Sequence, residues 1–463
     1  MDNLSSLSAL PRPPVTARQR SQLEAFLVLR RNTLELWGDA AYEDEILSGR
    51  FLGREQLMLN QPEAIRHVLV ANHANYGRNA ATHRVLQPLL GGGLFLAEGE
   101  PWKHQRRTVA PAMAPRMMPV LARHVVTATA VTEAALAGEH GVVELLPHLQ
   151  RLALRIAAQS MFSLEAAEFG GAMRAKLMQY GLRFARPGVL DLVLPKGMTS
   201  PLDRGRAAFR REWLQLMDRI IDRRERQPLA ESSAAEGQPR DLFDMLATAR
   251  DPQTGAGFSR AQLRDEISTM IIAGHETTAV TLFWACYVAA KLPAQQDRIA
   301  AEVAGVDLSA DNAAAALKGL VWTRAFIDEA LRLYPPAFLI VRVAKAADEI
   351  AGRRIEAGTV VSVSPWVLHR HRRRWDAPDS FDPTRFLPGA PPPARYAYLP
   401  FGAGPRICVG AQFALTEAVL VLARLLQSFR LELAGPGCVV PRGYVTTQPD
   451  RPARFILSRR RAA

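Results

Sequence analysis

Apolar residues recur along most of this chain with the period of a helix, and along a few short stretches with the period of a strand. From about residue 120 to 226 they fall at three- and four-residue spacings, with breaks near Pro187 and between Pro195 and Pro201. That pattern predicts successive amphipathic helices interrupted at the prolines. Ser259-Arg260-Ala261-Gln262 has the Ser-x-x-Gln form of a capping box. It opens a helix expected to end at Leu292-Pro293, about 33 residues or ~50 Å. From Ile267 on this segment is apolar nearly all round, which predicts burial. A further helix is expected from Phe413, Leu415, Val419, Leu420, Leu422, Leu425 and Leu426, and a short one over residues 64–70 behind Gln61-Pro62-Glu63. Alternation over residues 51–60 predicts a hairpin, and residues 338–343, 355–363 and 455–457 read as strands. The expected fold class is mainly α with a smaller β region.

Composition narrows the class without naming a chemistry. The 463 residues are 48% hydrophobic and 22% charged, the balance of a globular protein with a large core. Lys and Arg total 58 against 45 Asp and Glu, giving +13. Such a charge attracts an acidic partner: nucleic acid, an anionic membrane or an acidic redox protein. No zinc-finger, helix-turn-helix or RNA-binding aromatic pattern supports nucleic acid. A membrane span is not expected. In the long helix Gly274, His275 and Glu276 would be costly in lipid, and the apolar stretch after them is shorter than the roughly 20 residues a span needs. Cys286, Cys408 and Cys438 fall at no disulfide or zinc spacing and no signal peptide precedes them, so a cytoplasmic location is expected. Residues 227–240, rich in Ala, Ser, Glu, Gly and Pro, read as a loop within one domain spanning 1–463. Gly91-Gly92-Gly93 lacks the Gly-Lys-Ser/Thr of a phosphate loop and reads as a flexible hinge.

One stretch carries distinctive chemistry. In Phe401-Gly402-Ala403-Gly404-Pro405-Arg406-Ile407-Cys408-Val409-Gly410 a cysteine sits in a glycine-rich loop just before a helix. Helix-terminal amides and the Arg406 cation favour thiolate over thiol there. The glycines allow the backbone to approach a large flat ligand. A thiolate so placed can ligate a metal, attack carbon or do redox work, and a buried structural cysteine is the bland alternative.

The same ten residues match Phe-x-x-Gly-x-Arg-x-Cys-x-Gly at every specified position, and so resemble the haem-binding loop of the cytochrome P450 family. What the resemblance implies is haem b with Cys408 as axial iron ligand, cradled by Phe401, Gly402, Arg406 and Gly410. It implies the family's fold, with the haem between the long helix and the helix after the cysteine. Three further motifs stand in the family's order. Trp102 and Arg106, one turn apart, resemble its propionate-binding Trp-x-x-x-Arg, with Arg342 as a second propionate partner. Ala273-Gly274-His275-Glu276-Thr277-Thr278 resembles its oxygen groove, in which Ala273 and Gly274 border the haem while Glu276 and Thr277 manage proton delivery. The Thr277 hydroxyl is expected to turn toward the Ala273 carbonyl and loosen the helix there. His275-Glu276 also invites a zinc-protease reading, but Ala279 stands where the second His should be. Glu329-Ala330-Leu331-Arg332, with Arg385 in Phe381-Asp382-Pro383-Thr384-Arg385-Phe386, resembles the family's buried Glu-Arg-Arg network; Thr384 replaces the Glu of many members.

The resemblance implies a monooxygenase acting on a lipophilic small molecule, enclosed by residues 76–96, 173–184, 337–340 and 445–446. The 55 or so residues after Cys408 are too few for a reductase domain. Electrons are therefore expected from an acidic ferredoxin or flavodoxin with its NAD(P)H reductase, docking near Lys103, Arg107 and Arg406. A peroxide-driven haem-thiolate enzyme and a non-catalytic haem sensor remain as rivals; the intact Glu276-Thr277 pair counts against the first.

Overall fold

A computed structural model describes residues 10–16, 20–163, 166–195, 197–226, 241–435 and 438–460. Residues 227–240, expected to be a loop, lie outside them. The chain divides into two compact units: residues 1–77, 129–149 and 277–463 form one, and residues 78–128 and 150–276 the other.

All described strands belong to the first unit. Its main sheet runs Ile46–Phe51, Arg54–Leu59, Val360–Val363, Ile340–Ala344, Tyr76–Gly77, with only the Arg54–Leu59/Val360–Val363 pair parallel. The first two strands form the expected hairpin, starting earlier than the alternation suggested. Leu52 and Gly53 at its tip have φ 50° and 77°, the left-handed pair whose twist suits a two-residue hairpin. Leu57, Leu59, Val361 and Val363 bury one face against Ile65, Val68 and Leu69. Those come from Pro62–Arg66, which has Pro in its first turn, and the wider turn His67–Ala71 after it. A second sheet joins Val142–Glu144, Arg454–Arg459 and Phe429–Leu433; its first strand carries no sequence signal of its own.

The second unit has no strand among its described residues, and Ala80–Leu90, Gly99–Val109, Ala166–Arg183 and Asp203–Glu225 are among its helices. The long helix is Arg260–Lys291, 32 residues. Its capping box is formed: the Ser259 amide donates to Gln262 Oε1 at 2.9 Å and the Gln262 amide to Ser259 Oγ at 3.3 Å. It is continuous α-helix through Gly274–Thr278, so the expected loosening produces no break. One stretch, Pro115–Ala137, is long and apolar enough to cross a membrane by length and composition, with 44% of its most apolar window buried inside the fold.

Candidate active site

The cysteine loop is shaped by two left-handed glycines. Gly402 and Gly404 have φ 76° and 73°, a region that side chains avoid. A Cβ on Gly404 would also overlap the Leu69 carbonyl oxygen. Leu69 is held in place from behind: Asp348 Oδ2, in a separate two-stranded ribbon of Asp348–Ile350 and Arg353–Ile355, accepts from His67 Nε2 (2.8 Å), Asn72 Nδ2 (3.0 Å) and Tyr76 OH (2.5 Å), residues on both sides of Leu69. Within the loop the Cys408 amide donates to the Phe401 carbonyl at 2.9 Å and the Ile407 amide to Gly404 at 3.0 Å. Gly410 then caps the helix Ala411–Ser428.

This loop fits a flat, apolar, metal-bearing ligand. Ile407 is 41% exposed and the Cys408 thiol is exposed beside it, although the helix they introduce is buried from Leu415 on. A Cβ on Gly410 would meet nothing within 4 Å. An apolar shelf with a thiol in it and open space above Gly410 suits thiolate ligation of a haem. Arg342 lies on the same unit, in the strand Ile340–Ala344. Ile340 comes within 3.9 Å of the position a Gly402 Cβ would take, and Arg342 Nη1 donates to its neighbour Val341 at 2.9 Å.

Beneath the loop lies a polar framework. Glu329 and Arg332 are fully buried, with Arg332 Nε and Nη2 each 2.6 Å from a Glu329 oxygen. Arg332 also donates to the carbonyls of His369 (2.8 Å), Pro378 (2.7 Å) and Ser380 (2.7 Å), which uses all five guanidinium hydrogens. Arg385 Nε stands 3.6 Å from Glu329 and the Asp382 amide donates to it at 2.8 Å. Burial pushes the Glu329 carboxyl up, while Arg332, the Asp382 amide and Arg385 pull it down. The short bidentate contact is the geometry of an ionised pair. Sequence reasoning missed His369. Its Nδ1 donates to the Arg332 carbonyl at 3.1 Å and its Nε2 accepts the Leu399 amide at 2.8 Å, tying the pair to the start of the cysteine loop. Burial pushes His369 down to about 3, so the ring is neutral, as those two bonds require. The His369-Arg370-His371 cluster was the available signal.

On the long helix, Ala273 is exposed and Gly274 half-buried, whereas Thr278–Ala289 further along the same helix is buried throughout. A Cβ on Gly274 would meet nothing within 4 Å. Glu276 and Thr277 are half-buried. Burial pushes His275 down to about 4, so it is a neutral core residue. Thr281 Oγ1, one turn on, donates to the Thr277 carbonyl at 2.8 Å. Thr278 Oγ1 lies 3.4 Å from Glu417 Oε2 on the helix after the cysteine.

Trp102, buried, and Arg106, half-buried, occupy Gly99–Val109 in the helical unit, together with Lys103 and Arg107. Arg107, expected near a docking face, is engaged by a carboxylate: its Nε and Nη2 clamp Asp251 at 2.9 and 2.7 Å. One expectation needs correcting. Residues 91–93 are not a free hinge. The Gly92 amide donates to Asp265 at 2.8 Å, the Leu94 amide to Glu266 at 3.1 Å, and Gln105 Nε2 to the Gly92 carbonyl at 2.8 Å. A Cβ on Gly93 would stand 2.7 Å from the Asp265 carbonyl. The glycines are there for close packing. In the expected substrate-lining segment 173–184, Tyr180 and Phe184 pack in an aromatic cluster with Phe209 and Trp213.

The Cytochrome P450 family matches residues 40–449 of this chain. Cyclooctatin synthase of Streptomyces melanosporofaciens is 30% identical over 88% of this chain and 87% of its own. Cyclooctat-9-en-7-ol 5-monooxygenase of the same organism is 30% identical over 88% and 86%. Cytochrome P450 97B2 of Glycine max, a chloroplastic protein, is 31% identical over 82% and 74%. Among solved structures, the haem domain of cytochrome P450DA superposes with a TM-score of 0.79 at 23% identity, covering 98% of this chain and 99% of that one; it supports the fold. With a match across nearly its whole length, this chain belongs to the cytochrome P450 family and is a haem-thiolate monooxygenase.

Proposed function

We propose that the chain works as a single haem domain over residues 1–463, oxygenating a lipophilic terpenoid-like molecule in the cytoplasm. Cys408 holds the haem iron, with Phe401, Gly402, Arg406 and Gly410 forming the shelf beneath the ring. Trp102, Arg106 and Arg342 bind its propionates, and Ala273 and Gly274 leave space for the opposite face. When bound, the haem supplies the activation of dioxygen, helped by the electron-donating thiolate. Thr277 holds a proton at its hydroxyl and Glu276 passes one in from outside. The name of one relative, cyclooctat-9-en-7-ol 5-monooxygenase, is that of an enzyme oxygenating a cyclic unsaturated alcohol, and supports a lipophilic substrate. The charge of +13 supports an acidic ferredoxin or flavodoxin, served by an NAD(P)H reductase, as electron donor. The Pro115–Ala137 stretch is read as a core helix.

The observation that carries this reading is the exposed Cys408 at the end of its glycine-shaped loop. In the reduced holoprotein under carbon monoxide, the strongly red-shifted Soret band of thiolate ligation is expected to vanish in Cys408→Ser. Its survival would overturn the assignment. The proton role is tested by Thr277→Ala, which is expected to keep substrate binding while dioxygen is diverted to hydrogen peroxide. Full product yield per electron pair in that variant would make Thr277 an ordinary core residue.

A further inference from the structure

Asp251 is a fully buried carboxylate outside every motif above, and each of its oxygens is saturated. Oδ1 accepts from Arg107 Nε (2.9 Å) and from the Gln253 amide (2.9 Å); Oδ2 accepts from Arg107 Nη2 (2.7 Å) and His104 Nδ1 (3.0 Å). The residue is itself fixed by a closed turn, in which its amide donates to Ala256 at 2.9 Å and its carbonyl accepts from Gly255 at 2.8 Å. Phe258, just past that turn, meets the His104 ring edge-on at 5.7 Å.

The contacts with Arg107 and His104 all reach one helix, Gly99–Val109. At about 100° per residue, Trp102 and Arg106 point within some 40° of each other, and His104 and Arg107 within some 60°. The centres of the two pairs are roughly 150° apart. Asp251 therefore grips the face of the helix opposite the one that carries Trp102 and Arg106. Gln105 adds a lateral tie to the Gly92 carbonyl. A saturated, buried carboxylate on the back of a helix fixes its rotation far more tightly than packing alone, because any turn breaks several charge-assisted bonds at once.

We propose that Asp251 is a positioning residue for haem retention: it sets the rotation at which Trp102 and Arg106 meet a propionate. The inference rests on the propionate reading of those two residues. It also gives Arg107 and His104 a role, as the handles through which Asp251 acts.

The test measures transfer of haem from the purified holoenzyme to excess apomyoglobin, well below the unfolding temperature. Asp251→Asn, which keeps the shape but loses the charge, is expected to hasten haem loss about tenfold, the lower end of what supporting residues around a bound metal contribute. Arg107→Gln should do the same, and the double variant should add little to either. Arg106→Ala serves as the reference for the propionate contact. Asp191→Asn breaks a comparable buried pair with Arg206, 2.8 Å apart in the same unit, and is expected to lower stability without hastening loss. If Arg106→Ala hastens loss while Asp251→Asn and Arg107→Gln do not, the inference falls and the propionate reading stands. If Arg106→Ala has no effect, both fall. Equal acceleration by Asp191→Asn would reduce the effect to general destabilisation and overturn the inference. Should Asp251→Asn fail to fold, Arg107→Gln decides alone.

Discussion

Two buried frameworks in this molecule are built from the same parts, a carboxylate and an arginine, but are closed in different ways. Under the cysteine loop, Glu329 and Arg332 are three residues apart on one helix and meet as soon as that helix forms. Around the Trp102 helix, Asp251 finds Arg107 across 144 residues, and Asp265 finds the Gly92 amide across 173. The first framework is a prefabricated unit onto which His369 and the carbonyls of Pro378 and Ser380 dock. The second exists only once the tertiary fold has closed long loops. Both satisfy a buried charge, so both should be costly to break; they should differ in what else breaks with them.

The largest effect is expected at the prefabricated pair. Glu329→Gln leaves Arg332 buried beside a neutral amide, and removing one partner of such a pair typically costs about 3–5 kcal/mol. Denaturant unfolding of the apoprotein measures it, and proteolysis of the cysteine loop should be hastened in parallel through His369 and Leu399. A loss below about 1 kcal/mol would show that the carbonyls around Arg332 hold the loop without the carboxylate.

A second pair of acids reverses the sign. Glu417 in the strand-bearing unit and Glu266 in the helical one are both buried without a cation: Glu417 is met by Thr278 and Glu266 by the Leu94 amide. The other oxygen of each has no hydrogen-bond partner among the described residues. Burial pushes both carboxyls up to about 8 from 4.5. The folded protein then keeps a proton that the unfolded chain releases, so stability falls as pH rises from about 4.5 to about 8 and is level beyond. Glu417→Gln and Glu266→Gln remove that loss. Each should stabilise at pH 7 by up to about 3 kcal/mol and change little below pH 4.5. Melting curves across pH check this; parallel curves for variant and parent would show that neither acid is protonated in the fold.

The contrast also explains what was legible beforehand. The capping box at Ser259 and Gln262, the Glu329-Arg332 pair and the cysteine loop are local, with partners inside a ten-residue window, and each stands where its spacing placed it. Arg107 gave no sign of its carboxylate because that partner lies 144 residues away. Residues 91–93 read as a hinge because glycine signals freedom and close packing with the same letter; only Asp265 and Thr269 across the gap tell which. His369 gave a signal too weak to separate from its arginine neighbours. The order of the main sheet, which sets Arg54–Leu59 beside Val360–Val363, follows from tertiary pairing that no periodicity encodes.

Glycine itself supplies the finest test of this division. Gly93→Ala puts a methyl 2.7 Å from the Asp265 carbonyl, a backbone atom that cannot swing aside. Overpacking of this kind costs about 1–3 kcal/mol. The same change at Gly274 meets nothing within 4 Å. In the apoprotein it should instead gain up to about 1 kcal/mol, because alanine is the better helix former. Adding haem separates the two further. If the space beside Gly274 is where the ring lies, the methyl that steadied the empty helix must crowd the ligand, so Gly274→Ala should melt later than the parent without haem and bind haem more weakly. Gly93→Ala should be weakened in both states alike. Haem titration followed by thermal unfolding of the two variants measures all four quantities. A Gly274→Ala protein that binds haem as tightly as the parent would place the ring elsewhere along the helix.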